Sequence, residues 1–280
     1  GRSIAELANK YLSNHIYKIF LAFIWLTLIY VLTVFIDLTS ATFVADGTVA
    51  SASLQYILLA ILFGLTIYRL KVPVLPASLV FVPLTFFSIY LGHYIPAIAP
   101  VNTFLSGGQF WNLVLISYAF AASVLPVWFL LQPRDYLSSY LLYFSMLAGF
   151  LGVLLGGFAI KYPAFIGMTS PDGPIFPFLF VIIACGAVSG FHSIVATGTT
   201  AKQIAHKKDA KPIAYGGMLI ETVVAVIALC TIMIFSRTEV LTVKQPMLIY
   251  GNGIAKFLGL FGVPVKIGFS LALLALSTFL

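Results

Sequence analysis

Two ionisable side chains stand in stretches of sequence apolar enough to cross a bilayer, and they are the first candidates for chemistry. Glu221 lies in Tyr215-Gly216-Gly217-Met218-Leu219-Ile220-Glu221-Thr222, and His192 in Ala184-Cys185-Gly186-Ala187-Val188-Ser189-Gly190-Phe191-His192-Ser193. A charged group at mid-depth in a membrane costs at least about 2.5–3.5 kcal/mol, so each needs a reason to be there. A carboxylate and an imidazole at similar depth on consecutive helices could relay a proton. The plainer alternative has Glu221 bonded to Ser or Thr hydroxyls and His192 packed at the interface. Around His192, the residues Gly186, Ser189, Gly190, Ser193 and Thr197 recur at helical spacing on one face. Hydroxyls beside exposed backbone carbonyls can hold a small cation or a substrate; close helix packing explains the same pattern without a ligand.

Other chemistries find no support. There is no P-loop, no GxSxG, no HExxH and no pair of histidines placed to hold haem within the spans, so no enzyme constellation is expected. Cys185 and Cys230 lie far apart inside apolar runs, with neither zinc spacing nor a disulfide framework. The net charge of +7 is not gathered into a basic, aromatic-bearing face, which argues against nucleic acid as a partner.

The elements that must position these residues follow from composition. Of 280 residues 61% are hydrophobic and only 8% charged, with a mean hydropathy of +1.08. A soluble domain carries about 25% charged residues, and a disordered chain could not leave this much apolar surface unburied. The chain is an integral membrane protein. A spanning helix needs roughly 20 apolar residues, and residues 16–36, 54–68, 74–94, 110–131, 137–160, 175–196 and 215–235 qualify, with an eighth span opening near 267. The expectation is an all-α polytopic protein of about eight transmembrane helices in one domain over residues 1–280. Its first residues, Gly1-Arg2-Ser3, and its end within an apolar run lead us to expect a piece truncated at both ends. Alternating loops carry ten Lys and Arg on one side against five on the other, which puts the N-terminal segment in the cytoplasm.

Several local expectations complete the picture. Trp111 and Trp128 near opposite ends of the fourth span read as interfacial anchors. Ile254, Phe257, Leu258 and Phe261 at i, i+3, i+4, i+7 suggest a short helix on the outer membrane surface, or the frayed start of the last span. Pro126 reads as a bend in the fourth span, and Gly152-x-x-x-Gly156 as a helix contact. Arg134 and Asp135 are adjacent and should not face each other, which leaves Asp135 to stabilise a helix N-terminus.

Three segments together carry a family resemblance. Phe176-Pro177-Phe178 through Ser189-Gly190-Phe191-His192 and on to Thr197-Gly198-Thr199-Thr200-Ala201-Lys202 closely resembles the signature of the carbon starvation protein A family. So do Ala122-Ser123-Val124-Leu125-Pro126 through Gln132-Pro133-Arg134-Asp135-Tyr136-Leu137, and Tyr215-Gly216-Gly217 through Glu221. The resemblance implies an inner-membrane secondary transporter associated with peptide uptake during carbon starvation and with proton-coupled pyruvate uptake. It also implies a five-plus-five inverted-repeat core whose early Gly/Pro-rich helix precedes residue 1. On this reading the function is symport of a small metabolite such as pyruvate or short peptides. The competing class is a membrane ligand sensor or assembly component without transport. Glu221 and His192 would couple protons; Ser189, Gly190, Ser193 and Thr197 would bind substrate or cation. No cofactor is expected beyond a coupling proton or sodium ion, and the partners are the substrate and the lipid bilayer.

Overall fold

In hydrocarbon every backbone N–H and C=O must find its partner within the chain, so continuous apolar runs have little choice but to become helices. The computed structural model describes residues 2–97, 106–170, 173–188, 192–243 and 245–279, with backbone alone at 170, 184–188, 192, 193 and 197. Six helices come first: α1 (Ile4–Tyr11), α2 (Asn14–Ala45), α3 (Gly47–Tyr68), α4 (Val74–Tyr94), α5 (Gly107–Val124) and α6 (Leu131–Leu155). A two-residue antiparallel hairpin, β1 (Thr169–Ser170) and β2 (Gly173–Pro174), precedes α7 (Ile175–Val188), α8 (His192–Gly198) and α9 (Thr200–Gln203). The last four are α10 (Lys207–Met233), α11 (Arg237–Val243), α12 (Pro246–Gly259) and α13 (Val265–Phe279). Five of these, α2, α3, α4, α6 and α10, are long and apolar enough to cross a membrane. The other three expected spans correspond to shorter helices: α5, α7 followed by α8, and α13.

The chain divides into two units, residues 1–32 with 163–229 and residues 33–162 with 230–280. In the first, the Ser3 hydroxyl accepts the Glu6 N–H at 3.2 Å and so caps α1. Glu6 pairs with Lys202 of α9 at 3.8 Å, an exposed contact worth little on its own. In the second, α3, α4, α6, α12 and α13 pack together. Tyr56, Ala60, Phe63, Ala77 and Leu137 form one buried cluster, with the Phe63 and Tyr136 rings stacked at 5.3 Å. Gly152 of α6 meets the fully buried Phe257 of α12 so closely that an added Cβ would lie 2.3 Å from the Phe257 Cβ.

Four local expectations change. The fourth span does not run to 131: α5 ends at Val124 and α6 starts at Leu131. Pro126 has no N–H to give and forces Leu125 into an extended conformation (φ −71°, ψ 147°), so it ends the helix rather than bending it. Trp111 is only 4% exposed, edge-on to Phe43 and Phe110, so it is a core residue, while Trp128 is exposed. Of the expected surface helix at Ile254, Phe257, Leu258 and Phe261, the first three belong to α12 and are buried against neighbouring helices, while Phe261 lies beyond the end of α12 and is exposed. Arg134 and Asp135 do approach, at 3.7 Å between Nη1 and Oδ1, because the long Arg side chain can curl back where a helix face would not bring them together. That distance is a Coulombic contact, not a hydrogen bond.

Candidate functional site

Glu221 lies near the middle of α10, which begins eight residues before the expected span, and it is half-buried. The hydroxyl of its neighbour Thr222 donates to the Met218 carbonyl at 3.0 Å. Nothing lies within 4 Å of a Cβ placed on Gly216 or Gly217, so the helix surface one turn before Glu221 is open. His192 opens α8, and Ser193 and Thr197 follow on it; the side chains of these three lie outside those described. Ser189 and Gly190 lie outside the described residues altogether. Among the described residues no group of three or more His, Cys, Asp or Glu is placed to hold a metal.

The second unit has a polar interior that hydropathy does not announce. Thr39, Thr42, Ser51, Ser53, Thr85, Ser88, Ser145, Ser277 and Thr278 are all buried. Most of their hydroxyls donate back along their own helix, as Thr85 does to Phe81 (2.8 Å), Thr42 to Thr39 (2.7 Å) and Thr278 to Leu274 (2.9 Å). That bonding satisfies a hydroxyl in an apolar setting at small cost to helix geometry. A few bridge helices. Ser145 and Tyr250 hydroxyls meet at 2.8 Å between α6 and α12, and Ser78 and Tyr136 at 2.8 Å between α4 and α6. Asp46 fills the one-residue gap between α2 and α3. Its Oδ1 accepts the Thr48 N–H at 2.9 Å and its Oδ2 the Ser270 hydroxyl at 2.5 Å, tying that turn to α13.

Within this interior is a cavity of about 90 Å³ where α2, α3, α5, α6 and α13 converge. Arg134, Tyr118, Tyr56, Ser53, Ser277 and Thr278 supply its polar lining. Arg134 Nη2 donates to the Thr278 carbonyl at 2.9 Å, and the Tyr56 hydroxyl donates to the Arg134 carbonyl. The Tyr118 hydroxyl is buried with no hydrogen-bond partner. In the sequence Arg134 counts only as one of the ten Lys and Arg that place the cytoplasmic side, and nothing there singles out Tyr118 or Tyr56. One signal was available, an arginine set between Leu130-Leu131 and Tyr136-Leu137, where a cation is expensive unless it is paired or functional.

A second, more open pocket of about 370 Å³ is bordered by α11 and α12 and includes Phe235, Thr238, Glu239, Thr242 and Asn252. Glu239 accepts the Ser236 N–H at 2.7 Å and its hydroxyl at 2.8 Å, and these bonds hold its carboxyl below the usual range, helped by the charges of Lys256 and Lys161. The Lys256 ammonium sits 3.9 Å from the centre of the Phe235 ring, within cation–π distance.

Known proteins supply an independent comparison. A peptide transporter CstA of Helicobacter pylori is 37% identical over 211 residues, covering 70% of this chain and 30% of that protein. A peptide transporter CstA of Escherichia coli is 42% identical over 157 residues, covering 54% and 22%. A pyruvate/proton symporter, BtsT, also of Escherichia coli, is 44% identical over 150 residues, covering 51% and 21%. The chain therefore spans less than a third of the length of each of these relatives. No solved structure matches it. The family description "Carbon starvation protein CstA" matches residues 1–268, nearly the whole sequence, and the chain belongs to that family.

Proposed function

We propose that this chain is a membrane-embedded part of a secondary active transporter that imports a small metabolite, pyruvate or short peptides, in symport with a cation. The observation that carries the reading is the hydroxyl-rich interior, with an arginine-bearing and mostly apolar cavity, inside a unit that includes the membrane-length helices α3, α4 and α6. A helix bundle that served only as an anchor would have no use for a desolvated arginine. The names of the relatives, a peptide transporter and a pyruvate/proton symporter, supply the substrate classes. In this account eight helices cross the inner membrane with the N-terminal segment in the cytoplasm, and they belong to a five-plus-five inverted repeat. Glu221 and His192 carry the coupling proton. Ser189, Gly190, Ser193 and Thr197 form a face for substrate or cation. No enzymatic step is involved.

The test is uptake of labelled pyruvate and of labelled di- and tripeptides into proteoliposomes holding the full-length protein, with and without an inwardly directed proton gradient, outside acidic. Uptake of either class beyond protein-free vesicles supports transport. Saturable binding without uptake would assign the protein to ligand sensing instead.

A further inference from the structure

We propose that Arg134 and Tyr118 form a carboxylate-binding subsite in the cavity between α2, α3, α5, α6 and α13. The inference rests on the transport reading and gives it a specific chemistry. Pyruvate and a peptide share few groups, and a carboxylate is the one most readily recognised by a fixed cation.

The geometry supports this in three ways. First, a guanidinium carries five N–H donors in a planar fork, and the contacts it makes here engage Nη2 with the Thr278 carbonyl and bring Nη1 to 3.7 Å from Asp135. That second contact is too long to be a hydrogen bond, and Asp135 itself is largely exposed. The cation is thus held in place without a full-strength anion against it, and a bidentate carboxylate is the partner its shape fits best. Second, the Tyr118 hydroxyl lines the same cavity, buried and unpartnered. Leaving such a group unsatisfied costs about 1–3 kcal/mol, a cost a ligand oxygen would relieve. Third, the remaining wall is apolar: Phe43, Ile57, Trp111 and Leu115 would meet a methyl or short acyl group. A cavity of about 90 Å³ matches the volume of about three waters at their liquid share of about 30 Å³ each. That suits a two- or three-carbon acid, or the C-terminal carboxylate of a peptide whose remainder lies elsewhere.

The structural alternative is that Arg134 serves only to tie α6 to the Thr278 carbonyl. Tyr118→Phe separates the two, because it removes one unpartnered hydroxyl and touches no contact that holds the helices. The experiment measures equilibrium binding of labelled pyruvate to the purified full-length protein, with competition by acetate, a dipeptide, pyruvamide and a dipeptide amide, alongside thermal melting. The subsite predicts competition by the acids and not by the amides. Tyr118→Phe should weaken pyruvate binding about three- to tenfold, the worth of one hydrogen bond, with melting unchanged or raised. Arg134→Lys keeps the charge but loses the fork, and should weaken binding more than about tenfold. Equal competition by acids and amides, or wild-type affinity in the Tyr118→Phe protein, overturns the subsite while leaving transport standing. A wild-type protein that neither binds nor transports pyruvate or peptides overturns the functional reading and the subsite with it.

Discussion

Gly152 allows the packing of the second unit to be tested with a single methyl group. A Cβ at this position would lie 2.3 Å from both Cβ and Cγ of Phe257 and 2.7 Å from its Cδ1. Carbon atoms in good contact sit about 3.5–4.0 Å apart, so the overlap exceeds an ångström. It falls on the root of the Phe257 side chain, not on a flexible tip, and Phe257 is fully buried with no space to retreat. Overpacking of this kind costs about 1–3 kcal/mol. The helix-propensity gain of Gly to Ala, up to about 1 kcal/mol, offsets part of it, and less here because Gly152 is in the last turn of α6. Gly152→Ala should therefore lose about 1–2 kcal/mol, read as lowered thermal stability in detergent. Gly217→Ala, in the middle of α10 with nothing within 4 Å, should be neutral or gain up to about 1 kcal/mol. In a Phe257→Gly background, which removes the Cβ at 2.3 Å together with the ring, the penalty at Gly152 should vanish, so the two substitutions should couple by the full amount of the loss. If Gly152→Ala melts with the wild type, or costs as much with Phe257 removed, the close approach of α6 and α12 is refuted.

Three further outcomes follow from the same account. Glu221→Gln keeps shape and hydrogen bonding but cannot titrate, so the full-length variant should lose uptake driven by a pH gradient while retaining substrate exchange; accumulation with the wild-type pH profile would make Glu221 structural. Cysteines at Ala45 and Gly107 should react with an impermeant maleimide on intact cells and one at Lys208 should not; the opposite pattern reverses the orientation. Glu239 has its carboxyl pKa lowered by the Ser236 N–H and hydroxyl, so its contribution is present above the unfolded value near 4.5 and fades as pH falls through the lower folded value. Glu239→Gln should thus lower the melting temperature slightly at pH 7, with the difference closing toward pH 3; a difference that grows in acid would contradict the stabilising role of these two hydrogen bonds.

How legible the molecule was depended on which physical signal each element carries. Helix α4 was readable to its ends, because Pro73 and the Ile95-Pro96 step bracket an unbroken apolar run. The start of α10 was not, since Lys207-Lys208-Asp209 reads as loop by hydropathy although these residues are tolerated or favoured in a helix. Hydropathy finds the membrane-embedded stretch and passes over the polar turns that extend beyond it. Of the periodic set Ile254, Phe257, Leu258 and Phe261, the first three mark an apolar face of α12 and Phe261 does not, since the helix ends at Gly259; the same period serves lipid and protein neighbours alike, and here the neighbours are α6 and α13. The cavity was illegible for a different reason. Its walls come from residues as far apart as Thr39 and Thr278, and only tertiary packing brings them together. Arg134 and Asp135 were misjudged because the rule for helix faces treats side chains as short, which arginine is not.

The most direct test of the central claim is proton movement coupled to substrate. Proteoliposomes holding the full-length protein and a trapped pH-sensitive dye, with no gradient imposed, are given external pyruvate or a dipeptide. The account predicts acidification of the lumen that requires the substrate, saturates with it and is lost in Glu221→Gln. Substrate entry at the wild-type rate with no change in luminal pH would contradict proton symport.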